Sequence, residues 1–374
     1  MVAVTHLWLR EETKPFEHRA ALSPLVCQQL LGQGFKITVE ESDQRIFDDA
    51  EYTAVGCDLV PGGTWKTQAP QDAYVIGLKE LPENDDTPLP HTHIMFAHCF
   101  KNQGGWKDVL SRFDRGNGTL LDLEFLADEN GRRVAAFGFH AGFAGAAVGI
   151  DLWCHQNTPS TAGSPLPPIK PFPNEGVMIN HLSAKLTAAA QHVGRYPRIL
   201  VIGALGRCGR GAVDLARKAG IPEENIIKWD MAETAPGGPF QEIVDSDIFI
   251  NCIYLTHKIP PFLTQEQLDA PSRQLSVVVD VSCDTTNPNN PIPFYSTNTT
   301  FDRPTLPIPN KGTKPLDVVA IDHLPTMLPR ESSHAFSTDL LPTLLELPKR
   351  SSSRVWQDAE VLFKTKVQDM KNQQ

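Results

Sequence analysis

The stretch Arg198-Ile-Leu-Val-Ile-Gly-Ala-Leu-Gly-Arg-Cys-Gly209 decides the fold of this chain. Four apolar residues lead into Gly203, Gly206 and Gly209, and a helix-forming run over 212–218 follows. The next apolar segment, Asn225-Ile-Ile-Lys-Trp-Asp230, closes on a carboxylate. Strand, glycine turn, helix, strand and terminal acid, in that order, are the sequence form of a βαβ dinucleotide site. The glycines let backbone approach a pyrophosphate, the helix N-terminus offers unpaired N–H groups, and an acid about 20 residues on accepts ribose hydroxyls. Asp230 also repels a 2′-phosphate, so the pattern implies NAD rather than NADP. The spacing is G-x-x-G-x-x-G, so the glycines alone are weak evidence; the complete unit carries the assignment.

Working outward, strand-like segments recur at 225–229, 247–253, 276–280 and 318–321 on the C-terminal side. The span 231–245 is too short and glycine-rich for a full third βα unit, which predicts an abbreviated Rossmann half. On the N-terminal side, strand patterns at 6–10, 35–41, 73–78, 93–99 and 119–124 alternate with helical ones at 24–32 and 106–113. The apolar segment 134–153 contains His140, Asp151 and several glycines, so it reads as a buried helix rather than a membrane span. Its small residues predict close packing over 141–154. A proline-rich loop covers 158–173, and the tail 337–370 is helical by pattern. The expected fold class is α/β, two Rossmann-like open-sheet domains with a cleft between them. Residues 1–137, completed by C-terminal helices in 326–374, form the substrate and catalytic domain; 138–325 form the NAD-binding domain.

Composition bounds the function. The chain has 374 residues, 41% hydrophobic and 21% charged, enough for about two cores. A net charge of −10 argues against nucleic acid or anionic membrane as partner. Seven cysteines without zinc-like or paired spacing read as reduced thiols, and no signal peptide is evident, so cytoplasm is the expected compartment.

A dinucleotide fold does not define a reaction. Lys79-Glu80 and His98 end two predicted strands of the first domain, and parallel sheets bind ligands beyond the carboxyl ends of their strands. Two acid–base groups therefore fall on one rim, against the plainer alternative of a solvated lysine and a hydrogen-bonded core histidine. His91 and His93 read as loop and surface residues, and nothing suggests a metal. Lys14, Arg19, Lys101, Arg132 and Arg133 surround the rim. Arginine forks bind carboxylates bidentately, which suits a polycarboxylate substrate, although ordinary surface ion pairing explains such cations too.

With those residues in hand, the chain resembles the fungal saccharopine dehydrogenases (NAD, L-lysine-forming). The matching segments are Glu12-Thr-Lys-Pro15 with Arg19-Ala-Ala-Leu22, Gly77-Leu-Lys-Glu80, Phe96-Ala-His-Cys-Phe-Lys101 and Gly131-Arg-Arg-Val-Ala-Ala-Phe-Gly138. The glycine loop, Val278-Val-Asp-Val-Ser282 with Asp284-Thr-Thr-Asn-Pro288, and Ile321-Asp-His-Leu-Pro325 complete them. The outer frame is also similar to alanine dehydrogenase and transhydrogenase. The resemblance implies reversible, NAD-dependent oxidative cleavage of saccharopine to L-lysine and 2-oxoglutarate, the last step of lysine synthesis through 2-aminoadipate, by a monomer.

By the same resemblance Lys79 takes the amine proton and His98 activates water, with Lys14, Glu80, Lys101 and Glu124 in support. Arg19, Lys79, Gln103, Arg133, Phe137, Ser282, Cys283 and Asp284 are implied substrate contacts. Implied cofactor contacts are Arg132, Gly203, Gly206, Arg207, Asp230, Thr234, Tyr254, Val281, Ile321, Asp322, His323 and Leu324. Two other readings stay open: an alanine-dehydrogenase-like enzyme acting on a small amino acid, and a silent NAD-binding module. Finally, first and fourth Rossmann strands are neighbours in the usual order. Cys208, in the glycine loop after the first, and Cys252, at the end of the segment 247–252, are thus candidates for a disulfide, with a pair of merely packed thiols as the alternative.

Overall fold

The computed structural model describes residues 4–373 except 83, 284 and 286. The chain divides into two compact units, Met1–Ala136 with Pro329–Gln374, and Phe137–Leu328.

The first unit is built on six strands: β1 (His6–Leu9), β2 (Lys36–Glu40), β3 (Asp58–Val60), β4 (Tyr74–Ile76), β5 (Thr92–Met95) and β6 (Thr119–Asp122). They lie in the order β3-β2-β1-β4-β5-β6, and every pairing is parallel. The order reverses between β1 and β4, the topological switch point at which open α/β sheets bind ligands. β3 was not among the expected strands; its three residues are half-exposed at the sheet edge and too short to show alternation. The helix Pro24–Gly32 starts where its residues dictate, with Ser23 Oγ accepting from Val26 N at 3.4 Å and Pro24 in the first turn. On the core side, Trp8, Val75, Leu110, Phe113 and Leu120 pack with Phe363 and Met370 of the C-terminal helix Arg354–Asn372. Each such burial contributes about 1.5–3 kcal/mol, which is what holds the tail helix on this sheet.

His91 and His93 correct the expectation of surface residues. They are 4% and 0% exposed, because β5 is an interior strand and His93 faces the core. Its ring meets Trp65 and Phe113 edge-on at 5.0 and 5.4 Å, and burial lowers its pKa well below the usual histidine range.

The second unit carries β7 (Ile199–Ile202), β8 (Ile226–Trp229), β9 (Ile248–Asn251), β10 (Val277–Asp280), β11 (Leu306–Pro307) and β12 (Asp317–Val319). The order is β11-β12-β10-β9-β7-β8, parallel except for β11. Past β8 the chain makes two four-residue helices, Met231–Thr234 and Gln241–Val244, and no described strand pairs beyond it. The Rossmann half is abbreviated as its sequence suggested. The buried helix Gly138–Gln156 crosses the helix Arg207–Ala219 at glycines. A Cβ on Gly142 would stand 1.8 Å from the Cys208 carbonyl oxygen, and one on Gly211 1.9 Å from that of Phe139. The helix Glu175–Val193 was not anticipated. Asn174 caps it by accepting from Val177 N at 2.9 Å, and Gly194 ends it at φ +82°. Among the described residues no helix is long and apolar enough to cross a membrane.

Candidate active site

In the first unit β4 ends at Ile76 and β5 at Met95, so Lys79 and His98 each lie three residues beyond a strand rather than closing it. His98 adopts φ +50°, a left-handed conformation that a β-carbon disfavours, which marks a tightly determined turn. Lys14 Nζ donates to Glu80 Oε1, and the other Glu80 oxygen lies 3.9 Å from His98 Nε2. Burial would raise the Glu80 carboxyl, but the Lys14 hydrogen bond and charge outweigh it and hold it below the usual range. Burial lowers the His98 pKa, only partly offset by Glu80, so the imidazole is neutral near pH 7 and able to accept a proton.

Lys79 is depressed as well. Burial lowers its ammonium, and Arg19 and Lys14 lower it further against Glu17 and Glu80. Arg19 itself is 4% exposed and forks onto Glu17, Nε to Oε1 at 2.7 Å and NH2 to Oε2 at 2.6 Å. Across the rim Glu124 holds both Lys101 Nζ at 2.8 Å and Arg133 NH2 at 2.7 Å. Gln103 Oε1 accepts from Lys101 N at 2.8 Å, so it shapes this loop. The structure thus gives Lys14, Arg19, Lys101 and Arg133 each a protein carboxylate. Because Glu124 serves two of them, Lys14, Arg19, Lys101 and Arg133 outnumber Glu17, Glu80 and Glu124. Arg132 is exposed in the turn closed by the Ala127–Arg133 bridge. Phe137, Ser282 and Cys283 belong to the second unit, and Asp284 lies outside the described residues.

In the second unit Gly203 leaves β7 at φ +83°, where a Cβ would stand 2.6 Å from Ile253 Cγ2. A Cβ on Gly209 would stand 2.1 Å from the Gly203 carbonyl oxygen, so only glycine lets the helix start this close to the strand. Gly206 is the N-cap and has no side chain with which to cap the first turn. Asp230 follows β8; its Oδ2 accepts from Leu205 N at 3.0 Å and its Oδ1 from Met231 N at 2.9 Å. Thr234 Oγ1 donates to the Asp230 carbonyl at 2.9 Å. Leu205, Met231 and Tyr254 are 76%, 82% and 61% exposed, an apolar surround unusual for three large side chains at strand ends. A helix N-terminus with a glycine at its cap, a cradle that a Cβ on Gly203 or Gly209 would fill and a half-buried acid fit the phosphates and ribose of a dinucleotide.

The segment 321–324 follows β12. Thr299 bridges Ile321, Leu324 is buried, and His323 meets the Phe301 ring at 5.1 Å. Val281 N donates to Asn251 O at 3.0 Å. Sequence reasoning missed Asp280, which is fully buried and gathers Tyr295 OH at 2.5 Å, Ser282 Oγ at 2.6 Å and Asn251 Nδ2 at 3.0 Å. Ser282 is thereby tied to the sheet. Cys283 is buried at φ +36°, its thiol 3.8 Å from Asp322 Oδ1. Asp122 was missed too; its carboxylate accepts from Ala97 N and Glu124 N, one on each side of the rim. Glu17 was the third miss. The only signal for Asp122 and Asp280 is an acid at a strand end, and Glu17 lies between two of the quoted segments.

Cys208 and Cys252 both stand as free thiols in this structure. They are neighbours all the same. β7 pairs with β9, and burial together with a hydrogen bond to Cys208 raises the Cys252 thiol well above its usual range. Among the described residues no group of three or more His, Cys, Asp or Glu side chains could hold a metal ion.

These two units define an NAD-type dehydrogenase fold of the alanine dehydrogenase/PNT class. Residues 8–144 match the alanine dehydrogenase/PNT N-terminal domain and residues 234–371 its C-terminal domain. The fold is similar to L-alanine dehydrogenase (TM-score 0.64, 15% identity, 96% of this chain and 94% of that one). It is also similar to a transhydrogenase from Sinorhizobium meliloti (TM-score 0.58, 16% identity, 91% and 94%). Sequence similarity is narrower and stronger. Saccharopine dehydrogenase (NAD(+), L-lysine-forming) of Yarrowia lipolytica is 58% identical over 97% of this chain and 98% of its own. The Schizosaccharomyces pombe protein of that name is 58% identical over 98% and 99%, and that of Neurospora crassa 55% over 98% and 97%. The chain belongs to the saccharopine dehydrogenase (NAD(+), L-lysine-forming) family.

Proposed function

We propose that the protein catalyses the reversible oxidative cleavage of saccharopine, with NAD and water, to L-lysine and 2-oxoglutarate. Full-length identity of 58% to saccharopine dehydrogenases carries this reading. Gly203, Gly206, Arg207 and Asp230 of the second unit would hold NAD, which would supply the hydride acceptor for oxidation of the substrate carbon next to the secondary amine. The first unit supplies the proton chemistry. A protonated secondary amine cannot release hydride from its α-carbon, so a base must first neutralise it, and Lys79 Nζ, depressed by burial and Arg19, takes that proton. Cleavage of the resulting carbon–nitrogen double bond requires water, and neutral His98 Nε2 takes the water's proton. Glu80, between Lys14 and His98, stabilises the imidazolium that forms. Proton return from these groups to the lysine nitrogen completes the cleavage. The cation surplus around Arg19, Lys101 and Arg133 suits the three carboxylates of saccharopine.

We assign the contacts of Gln103, Arg132, Phe137, Thr234, Tyr254 and 321–324 on the family resemblance, and propose a cytoplasmic monomer. NADH consumption with 2-oxoglutarate and a panel of amines tests the activity. Lysine-dependent oxidation is expected. Oxidation with pyruvate and ammonia alone would replace this reading with an alanine-dehydrogenase-like one, and none at all would leave a silent binding module.

A further inference from the structure

The switch point of the first unit holds a buried ion pair that the proposed chemistry does not use. Glu12 accepts from Leu78 N at 2.5 Å through Oε1 and from Lys79 N at 2.9 Å through Oε2. Arg10 NH2 donates to the Lys79 carbonyl, while its NH1 donates to Glu11 O at 2.9 Å and lies 3.5 Å from Glu12 Oε2. The two side chains are 1% and 7% exposed. Both polar groups of the Lys79 backbone are thus held by charged partners from the end of β1, the strand beside β4. Gly77 makes room: a Cβ there would stand 2.4 Å from Arg10 Cζ.

Such a pair is costly. Burial raises the Glu12 pKa, with Arg10 and the two N–H groups opposing it, and Arg10 Nε is buried without a hydrogen-bond acceptor. Buried pairs of this kind often contribute less stability than apolar residues of equal volume would. What this one does provide is geometry at a single residue.

We infer that Arg10 and Glu12 are positioning residues that clamp the Lys79 backbone and so set where its ammonium stands, an inference that rests on Lys79 being the base. The ammonium is held among Arg19, Glu17, Lys14 and Glu80, with His98 beyond. Loosening the clamp lets a flexible four-carbon side chain move towards water, where its pKa rises. The oxidative reaction uses the neutral amine, so the limb on which its rate rises with pH moves upward, and kcat falls.

The test uses Glu12→Gln, which can accept only through its single amide oxygen, and Gly77→Ala, whose methyl displaces the guanidinium without altering any charge. Gly77 has an ordinary negative-side φ, so alanine fits the backbone. In each variant kcat should fall about tenfold or more, as small misplacements at reacting groups do, and the rising limb of the pH profile should shift upward. In an Arg10→Met background Gly77→Ala should cost nothing further, because the group it displaces is gone. Folded variants with wild-type kcat and pH profile would overturn the inference. So would loss of fold in both, which would make the pair's role purely structural. Lys79→Met separates the two readings. If it keeps the wild-type limb, Lys79 is not the base and the proposed mechanism falls. If it abolishes the limb while the clamp variants retain it, only the clamp falls.

Discussion

Replacing Asp122 by Asn should remove a pH dependence from the stability of the first unit. Asp122 is 1% exposed and accepts from Glu124 N at 2.9 Å and Ala97 N at 3.3 Å, and among the described residues no cation lies at hydrogen-bonding distance from it. Burial, only partly opposed by those N–H groups, raises its pKa from 3.8 to about 7. The folded protein then binds a proton that the unfolded chain has released. The associated stability is fully present below the unfolded value and is lost as pH rises through the folded one. A shift of about 3 units corresponds to ~4 kcal/mol in all, of which roughly 2.5 kcal/mol falls between about pH 4.5 and 6.5. Asparagine has no such titration. Urea unfolding of both proteins, followed by circular dichroism across that range, measures the difference directly. The advantage of wild type over Asp122→Asn should shrink by roughly that 2.5 kcal/mol from the acid to the neutral end. A difference independent of pH would show that Asp122 is ionised throughout and that burial does not govern it.

Three further outcomes are expected. Asp230→Ser should weaken NAD and improve NADP relative to it, since the acid at the end of β8 is the group that excludes a 2′-phosphate; unchanged selectivity in steady-state kinetics would remove that role. Lys79→Met and His98→Gln together should cost less than the product of their separate losses, because both act in one proton path; strict multiplicativity with unaltered pH–rate profiles would count against the pair. Oxidising the neighbouring Cys208 and Cys252 thiols should join them and stiffen the glycine loop, changing NAD affinity more than 2-oxoglutarate affinity. Mass spectrometry of the alkylated, non-reduced protein detects the bond, and equal changes in both affinities would contradict the mechanism.

Much of this was legible where local chemistry decides. The βαβ unit at 198–230 announces itself through glycines, because the close approaches at Gly203 and Gly209 admit no other residue. The glycines of the helix Gly138–Gln156 signalled its tight packing for the same reason. The helix Glu175–Val193 carries comparable signals, with Asn174, Glu175 and Gly194 at its ends and Met178, Leu182 and Leu186 along one face. The buried histidines failed for another reason. A histidine between threonine and isoleucine has the composition of a surface strand, and only the central place of β5 puts His93 among Trp65 and Phe113.

The buried acids at the strand ends depend on still longer-range information. Glu12, Asp122 and Asp280 each stand near the end of an apolar strand, which alone suggests a solvated terminus. Glu12 and Asp122 accept from backbone N–H groups just past neighbouring strands, 66 and 67 positions away for Glu12 and 25 for Asp122 at Ala97, and Asp280 accepts from Asn251 on the adjacent strand and from Tyr295. Once β1 is set beside β4 with Leu9 opposite Ile76, residue 12 falls beside residue 79. With Met95 opposite Asp122, that carboxylate meets the turn leading to His98. Strand order and register are therefore what turn three unremarkable acids into anchors. A period-two pattern cannot supply them, because it says which face a residue occupies and nothing about which strand lies alongside.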